Sequence, residues 1–293
     1  MLESVKGLHL ELTNKCTLKC PRCDRTTFIE RFGIKKWKNL DLSLAELKSF
    51  FDISLWGLKV DLGGNDGDPI YHPDFLNIVD WLKGEGAIVR VHTNGSYKTE
   101  DWWQELSNIL TSEDRVVFAI DGTPENFTKY RINAHWPSIE LGIKTMVASK
   151  AQTVWKFIPF AYNETSMKEA EEISNQLGID YFEVQPSTRW IENDPYKPIN
   201  FLGREKSLLD IKELKPECSN GRKHYVSSAG YYSPCCYMGG TNFYYKTEFH
   251  KNKKMFSIAD NKFSEILQRP DTVNFYKTIV DARHAACVFN CTK

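Results

Sequence analysis

Over the first 185 residues, short alternating apolar segments are separated by longer segments with helical periodicity. Leu8-His9-Leu10-Glu11-Leu12 alternates apolar and polar, the pattern of a strand with one buried face. Ser43 to Phe51 reads as a helix. Ser43 followed by Glu46 is a capping-box pair, each side chain satisfying a free amide of the first turn. Further strands are predicted at Leu58–Leu62, Ala87–Thr93, Arg115–Ile120, Thr153–Ile158 and Ile179–Val184. Helices are predicted at Asp74–Lys83, Glu100–Leu110, Pro137–Ser149 and Ser166–Leu177. Gly84 and Gly86 end the first of these, and Gly178 ends the last. Such alternation of strand and helix predicts an α/β fold with a parallel sheet and helices outside it. Six strands are too few for a closed eight-stranded barrel. Periodicity leaves a partial barrel and an open doubly wound sheet equally open.

From Gln185 to about Glu217 the rhythm gives way to polar, Pro-containing sequence that reads as a connector. From Cys218 onward the chain is aromatic and cysteine-rich, and reads as a second, small domain. At 293 residues the chain suits about one or two domains. Lys+Arg and Asp+Glu stand at 38 each, so net charge gives no push toward nucleic acid or an acidic membrane. The basic runs at Lys35–Lys38 and Lys251–Lys254 read as solvated loops. No apolar run approaches the ~18 residues of a membrane span, and the N-terminus lacks the apolar core of a signal peptide. A cytoplasmic location is the expectation. In that setting the 8 cysteines point to metal or redox chemistry rather than disulfides. They fall into two groups, three early and five late, with none between Cys23 and Cys218.

The early group, Cys16-Thr17-Leu18-Lys19-Cys20-Pro21-Arg22-Cys23, follows the first predicted strand with C-x3-C-x2-C spacing. Soft thiolates favour iron–sulfur clusters or zinc. Three ligands leave one position open, whereas a structural metal site is normally closed by a fourth. The motif resembles that of the radical S-adenosylmethionine (SAM) superfamily. The resemblance implies a [4Fe-4S] cluster on Cys16, Cys20 and Cys23, with SAM on the fourth iron. Reductive cleavage of SAM would yield a 5′-deoxyadenosyl radical. It also implies a partial (β/α)6 TIM-like barrel over residues 1–185. A zinc site or three unrelated thiols is the bland alternative.

The same resemblance directs attention to the residues after each strand, where parallel α/β proteins bind ligands. Gly63-Gly64-Asn65-Asp66-Gly67-Asp68-Pro69 stands where the family carries Gly-Gly-Glu-Pro. Asn65 replaces the glutamate, with Asp66 and Asp68 nearby, so the anionic partner of the SAM ammonium is in question. An ordinary Gly/Asp turn has the same composition. Thr93 and Asn94, in His92-Thr93-Asn94-Gly95, match a segment near the ribose and methionine of SAM; His92 reads as a packed histidine. Ala119-Ile120-Asp121-Gly122 and Arg131 resemble a Ser-x-Asp-Gly stretch and its following arginine, with Ala119 in place of serine. Asp121 and Arg131 are implied cofactor contacts, Arg131 by pairing a guanidinium fork with the SAM carboxylate. Ile158 and Phe160 resemble the adenine-binding strand, or are simple barrel core. Arg22 replaces a common aromatic and has a planar guanidinium able to stack on a base.

In the late group, Cys218, Gly230 and Cys235 keep C-x11-G-x4-C spacing, and Cys236, Cys287 and Cys291 follow. This resembles the opening of SPASM and Twitch domains and implies one auxiliary [4Fe-4S] cluster on Cys218, Cys235, Cys287 and Cys291. Cys236 is then spare or exchanges with Cys235. A zinc site on the same four ligands is the alternative. The expected division is 1–185 barrel, 186–217 connector, and 218–293 Twitch-type α+β auxiliary-cluster domain.

The implied function is hydrogen abstraction from a small polar substrate such as a sugar, cyclitol or nucleotide derivative. The net change would be an oxidation, with the auxiliary cluster as electron acceptor. A reducing partner such as flavodoxin or ferredoxin is implied. Gln185, Ser187, Arg189 and Trp190 after the sixth strand, with Tyr71, are candidate substrate contacts. His72 and Tyr162 border them. Arg189 is the candidate for holding an anion or acting near a substrate hydroxyl. The cluster motif begins at residue 16, which leaves no room before it for a peptide-clamp domain and lowers the reading of a peptide-modifying enzyme. A non-catalytic iron–sulfur or zinc protein is the third reading.

Overall fold

The computed structural model describes residues 5–187, 190–200, 218, 223–240, 244, 246–278 and 284–291. Strands β1 (Gly7–Leu10), β2 (Lys59–Leu62), β3 (Ile88–Thr93), β4 (Arg115–Ala119), β5 (Gln152–Phe157) and β6 (Tyr181–Val184) pair in parallel, each with its sequence neighbour. Between them run helices α1 (Asp24–Phe32), α2 (Leu44–Phe50), α3 (Phe75–Gly84), α4 (Glu100–Ile109), α5 (Trp136–Val147) and α6 (Met167–Gln176). Two later strands, β7 (His224–Val226) and β8 (Tyr232–Ser233), extend the sheet, followed by the short helix α7 (Cys236–Gly239). The eight strands lie in the order β6-β5-β4-β3-β2-β1-β7-β8. The fold is therefore α/β, a mostly parallel sheet forming a partial TIM-like barrel with C-terminal elements added.

The free edge of β1 is taken by β7, which runs parallel to it with Leu8 opposite His224 and Leu10 opposite Val226. β8 folds back antiparallel. The barrel therefore does not close through β1 and β6.

Local chemistry explains the elements. Ser43 accepts from the Glu46 amide at 3.2 Å and the Glu46 carboxylate accepts from the Ser43 amide at 2.8 Å, completing the box that starts α2. Gly178 follows α6 at φ +79°, a conformation that favours glycine. α1 has no counterpart in the sequence pattern, because it rises directly from Cys23 with a single buried residue, Thr26. Among the described residues no helix is long and apolar enough to cross a membrane.

Alternation divides each strand between two environments. Leu8, Leu10, Val60, Leu62, Val89, Val91, Phe118, Trp155 and Phe157 are fully buried on the helix-facing side. On the other side, register pairs His9 with Asp61 and Ala119 with Lys156, and then Lys156 with Glu183. The outer face is an apolar core, and the inner face carries charge.

Candidate functional site

The early cysteines lie in the loop between β1 and α1. Cys23 is the residue before α1, and its amide donates to the Cys20 carbonyl at 3.1 Å. Two side chains from the segments that follow β3 and β4 aim donors at the sulfurs. Asn94 Nδ2 stands 3.6 Å from Cys16 Sγ, and Arg131 Nη1 stands 3.9 Å from Cys20 Sγ. Leu18, Cys20, Tyr130 and Phe160 form a small buried cluster, and Cys16, Cys23, Ile158, Tyr162 and Trp190 pack against it. The three thiols, both proposed adenine-strand residues and one proposed substrate residue thus share one neighbourhood. Phe160 stacks on Tyr130 at 4.0 Å between ring centroids.

Burial pushes the Cys16 thiol up to about 12, and pushes Cys20 up against the pull of Arg131. Buried thiols of this kind become thiolates when a cation binds them. The soft donor set, with hydrogen-bond donors aimed at two of its sulfurs, fits an iron–sulfur cluster. Among the described residues no group of three His, Cys, Asp or Glu side chains is placed to hold a metal ion. Thiolates spread around a four-iron cluster stand wider apart than thiolates around one ion.

Asn94 is held from below by Asp68. The Asp68 carboxylate accepts from the Asn94 amide at 2.6 Å, from Asn94 Nδ2 at 2.5 Å and from Thr93 Oγ1 at 3.1 Å. Burial raises its pKa to about 6 in spite of these donors. The sequence places Asp68 only near the anionic partner of the glycine loop, as the acid directly before Pro69, and does not show that it braces Asn94.

The glycine loop packs on a second buried acid, Glu11. Its Oε1 accepts from the Asp66 amide at 2.8 Å and the Gly67 amide at 3.3 Å, and its Oε2 accepts from Tyr225 Oη at 2.5 Å. A Cβ on Gly64 would lie 2.8 Å from the Gly67 carbonyl oxygen and 2.5 Å from Glu11 Oε1, and because the first is backbone that glycine is required for space. The Gly63 carbonyl accepts from His9 Nε2 at 3.2 Å. Asn65 faces away from the early cysteines, donating to Tyr225 Oη at 3.3 Å and to the Cys236 carbonyl at 3.2 Å. It joins the glycine loop to the C-terminal elements.

Asp121, at φ +60°, pairs its carboxylate with Arg131 Nη2 at 2.6 Å and accepts from the Ile158 amide at 2.8 Å. Burial raises its pKa although Arg131 opposes the shift. Arg131 is thus engaged by Asp121 and Cys20. Arg22 forms a two-pronged pair with Asp194 at 2.7 and 3.0 Å and lies over Tyr196. This ties the segment 190–200 to the cysteine loop and leaves Arg22 no free plane on that side.

Tyr71 bridges two loops, donating to the Ser96 carbonyl at 2.5 Å and accepting from Thr17 Oγ1 at 3.0 Å. Trp190 meets Phe160 edge-on at 5.7 Å, Gln185 is exposed beyond β6, and Ser187 is half-buried. Tyr162 donates to the Asp121 carbonyl, and His72 is buried. Arg189 lies outside the described residues.

At the late group, Cys218, Cys235 and Cys287 belong to the main core and Cys291 packs against it. A hydrogen bond with Cys218, then burial, pushes the Cys235 thiol well up. Cys287 is pushed to about 12 by burial, with Cys235 and Cys291 adding to it. Cys235 is thus a neighbour of both Cys218 and Cys287, and Cys287 of Cys291. Cys236 starts α7 and feels Lys223 and Asp61 of the barrel's inner side. A depression of about 470 Å³ bordered by Leu44, Lys48 and Trp81 lies on the outer helices, away from both groups.

A family model described as SPASM, an iron–sulfur cluster-binding domain, matches residues 218–292. A curated relative, the tungsten-containing aldehyde ferredoxin oxidoreductase cofactor-modifying protein of Pyrococcus furiosus, is 28% identical over 120 residues. That match covers 41% of this chain and 32% of the relative, so the chain spans about a third of that protein's length. Among solved structures, native anSMEcpe with bound AdoMet and the Cp18Cys peptide has a TM-score of 0.58 at 13% identity. It covers 92% of this chain and 82% of its own. BtrN in complex with AdoMet and 2-DOIA has a TM-score of 0.52 at 12% identity, covering 98% and 92%. These likenesses concern the fold.

Proposed function

We propose, on the premise that this chain belongs to the radical SAM superfamily in its SPASM subgroup, that it cleaves SAM reductively and oxidises a small polar substrate. The observation that carries this reading is the convergence of Asn94 and Arg131, from the segments after β3 and β4, on the C-x3-C-x2-C sulfurs after β1. When bound, the [4Fe-4S] cluster and SAM supply the electron and the 5′-deoxyadenosyl radical that abstracts hydrogen.

The residues of the chain do the rest. Cys16, Cys20 and Cys23 hold the first cluster. Asp68 orients Asn94 toward Cys16, and Asp121 orients Arg131 toward Cys20. Thr93, with the Gly63, Gly64 and Asp66 backbone, lines the cofactor side. Ile158 and Phe160 bring apolar surface for the purine. Cys218, Cys235, Cys287 and Cys291 hold the auxiliary cluster, with Cys236 outside the set. The substrate lies over the charged inner face, with Tyr71, Gln185, Ser187 and Trp190 at its border. A flavodoxin or ferredoxin supplies electrons.

The charged inner face favours a polar small molecule, as does the near-complete coverage of a structure that holds 2-DOIA. The second reading is a peptide substrate. It is favoured by the likeness to a structure holding a peptide. The test is anaerobic turnover with SAM and a chemical reductant. 5′-Deoxyadenosine should form, and its yield should rise with an aminocyclitol or sugar panel more than with peptides. No 5′-deoxyadenosine from cluster-loaded protein would contradict the reading.

A further inference from the structure

Lys156 lies on β5 in register with Ala119 of β4 and Glu183 of β6. It therefore points to the inner side of the barrel, on the opposite face from the buried Trp155 and Phe157. The methyl group of Ala119 leaves space beside it that a larger residue would take. Among the described residues its ammonium makes no hydrogen bond or ion pair. The acids nearest to it are already matched. Asp121 holds Arg131 at 2.6 Å, and Glu183 faces Arg115 at 3.8 Å. Burial lowers the pKa of Lys156, against the pull of Asp121.

A cation withdrawn from water without a partner is costly, and an arriving anion relieves that cost. Arg131 already has two of its guanidinium nitrogens engaged, Nη2 by Asp121 and Nη1 by Cys20, which leaves its buried Nε as the remaining donor. Lys156 is two residues from Ile158, whose amide is held by Asp121, so it stands next to the proposed cofactor contacts.

We propose that Lys156 is an anion-binding group of the barrel interior that takes a carboxylate, supplied by the methionine part of bound SAM or by the substrate. This rests on the radical SAM reading. It also assigns a use to the alanine at 119: the small side chain makes room for an ammonium where a hydroxyl would otherwise reach the ligand.

The test is anaerobic equilibrium binding to the cluster-loaded protein, comparing wild type, Lys156→Met and Lys156→Arg. The ligands are SAM, decarboxylated SAM and, as a small carboxylate probe, succinate. Loss of a charge-assisted bond should weaken SAM binding roughly tenfold or more in Lys156→Met. Decarboxylated SAM should be affected about twofold or less by the same change, and Lys156→Arg should keep most of the SAM affinity. Ligand-free Lys156→Met should melt no lower than wild type, because it removes a half-buried unpaired charge; a purely structural lysine would lower Tm. Unchanged SAM binding with loss of succinate binding in Lys156→Met would support the carboxylate site and place its source on the substrate. Equal weakening of SAM and decarboxylated SAM, or no change with any ligand, would overturn the proposal. Wild type that binds no SAM would overturn the cofactor reading as well.

Discussion

The two cysteine groups are built from the same ligand chemistry in opposite surroundings. The early group lies at the mouth of the barrel, in a loop braced by polar side chains. Asp68 and Asp121 sit beneath it, and the donors Asn94 and Arg131 point at its sulfurs. The late group is sunk in the main core beside an aromatic set of His224, Tyr232, Phe263 and Tyr276. Three thiols in a polar cradle leave room for a ligand. Four thiols in a packed aromatic core do not. Under the proposed function, the difference separates a site for chemistry from one that holds a cluster or passes an electron.

The largest expected effect is at the open site. Cys20→Ala should abolish 5′-deoxyadenosine formation under anaerobic reduction, and Cys16→Ala and Cys23→Ala should do the same. A Cys20 variant that still cleaves SAM would erase the distinction between the groups. At the closed site, Cys287→Ala should lose about half of the bound iron, one of two four-iron clusters. It should keep measurable SAM cleavage.

A smaller effect comes from two histidines, the half-buried His9 on β1 and the buried His224 beside the late group. Burial lowers both His9 and His224 to about 4. In the unfolded chain a histidine titrates near 6.5, so the unfolded state takes up protons first as pH falls. Stability from each ring is present above about 6.5 and lost between there and about 4. For His224 the full loss is on the order of 3 kcal/mol. Asp68 acts in the opposite sense, because its raised pKa of about 6 removes stability as pH climbs from about 4. The difference between wild-type and His224→Gln denaturation curves isolates the histidine. It should be flat above pH 6.5 and change below it.

The smallest effect is at Arg22. Arg22→Met breaks a two-pronged pair but leaves the Asp194 carboxylate two backbone amides, at 3.2 and 3.0 Å. A loss of about 1 kcal/mol is expected by chemical denaturation, with iron content unchanged.

What the sequence reveals follows from how local each signal is. The Ser43–Glu46 box, the stop at Gly178 and the alternation of β3 are contained within a few residues, and each has its counterpart in the structure. The cysteine spacing is likewise local. The Glu11–Tyr225 contact spans 214 positions, and no periodicity encodes it. The same holds for β7, whose three residues carry too little pattern to announce that they extend the barrel sheet at β1. Asn65 drew attention by its place in the glycine loop, while the acid that braces Asn94 is Asp68, next to Pro69. Arg131 was expected to meet a ligand carboxylate, and its engagement by Asp121 depends on a backbone turn at φ +60° that sequence alone does not specify.

The measurement that tests the account most directly is iron and sulfide content per chain after anaerobic reconstitution, with Mössbauer spectra. The account predicts about eight irons in two [4Fe-4S] sites, one of them perturbed by SAM. About four irons, with zinc on the late cysteines, would contradict it and remove the electron acceptor on which the proposed oxidation depends.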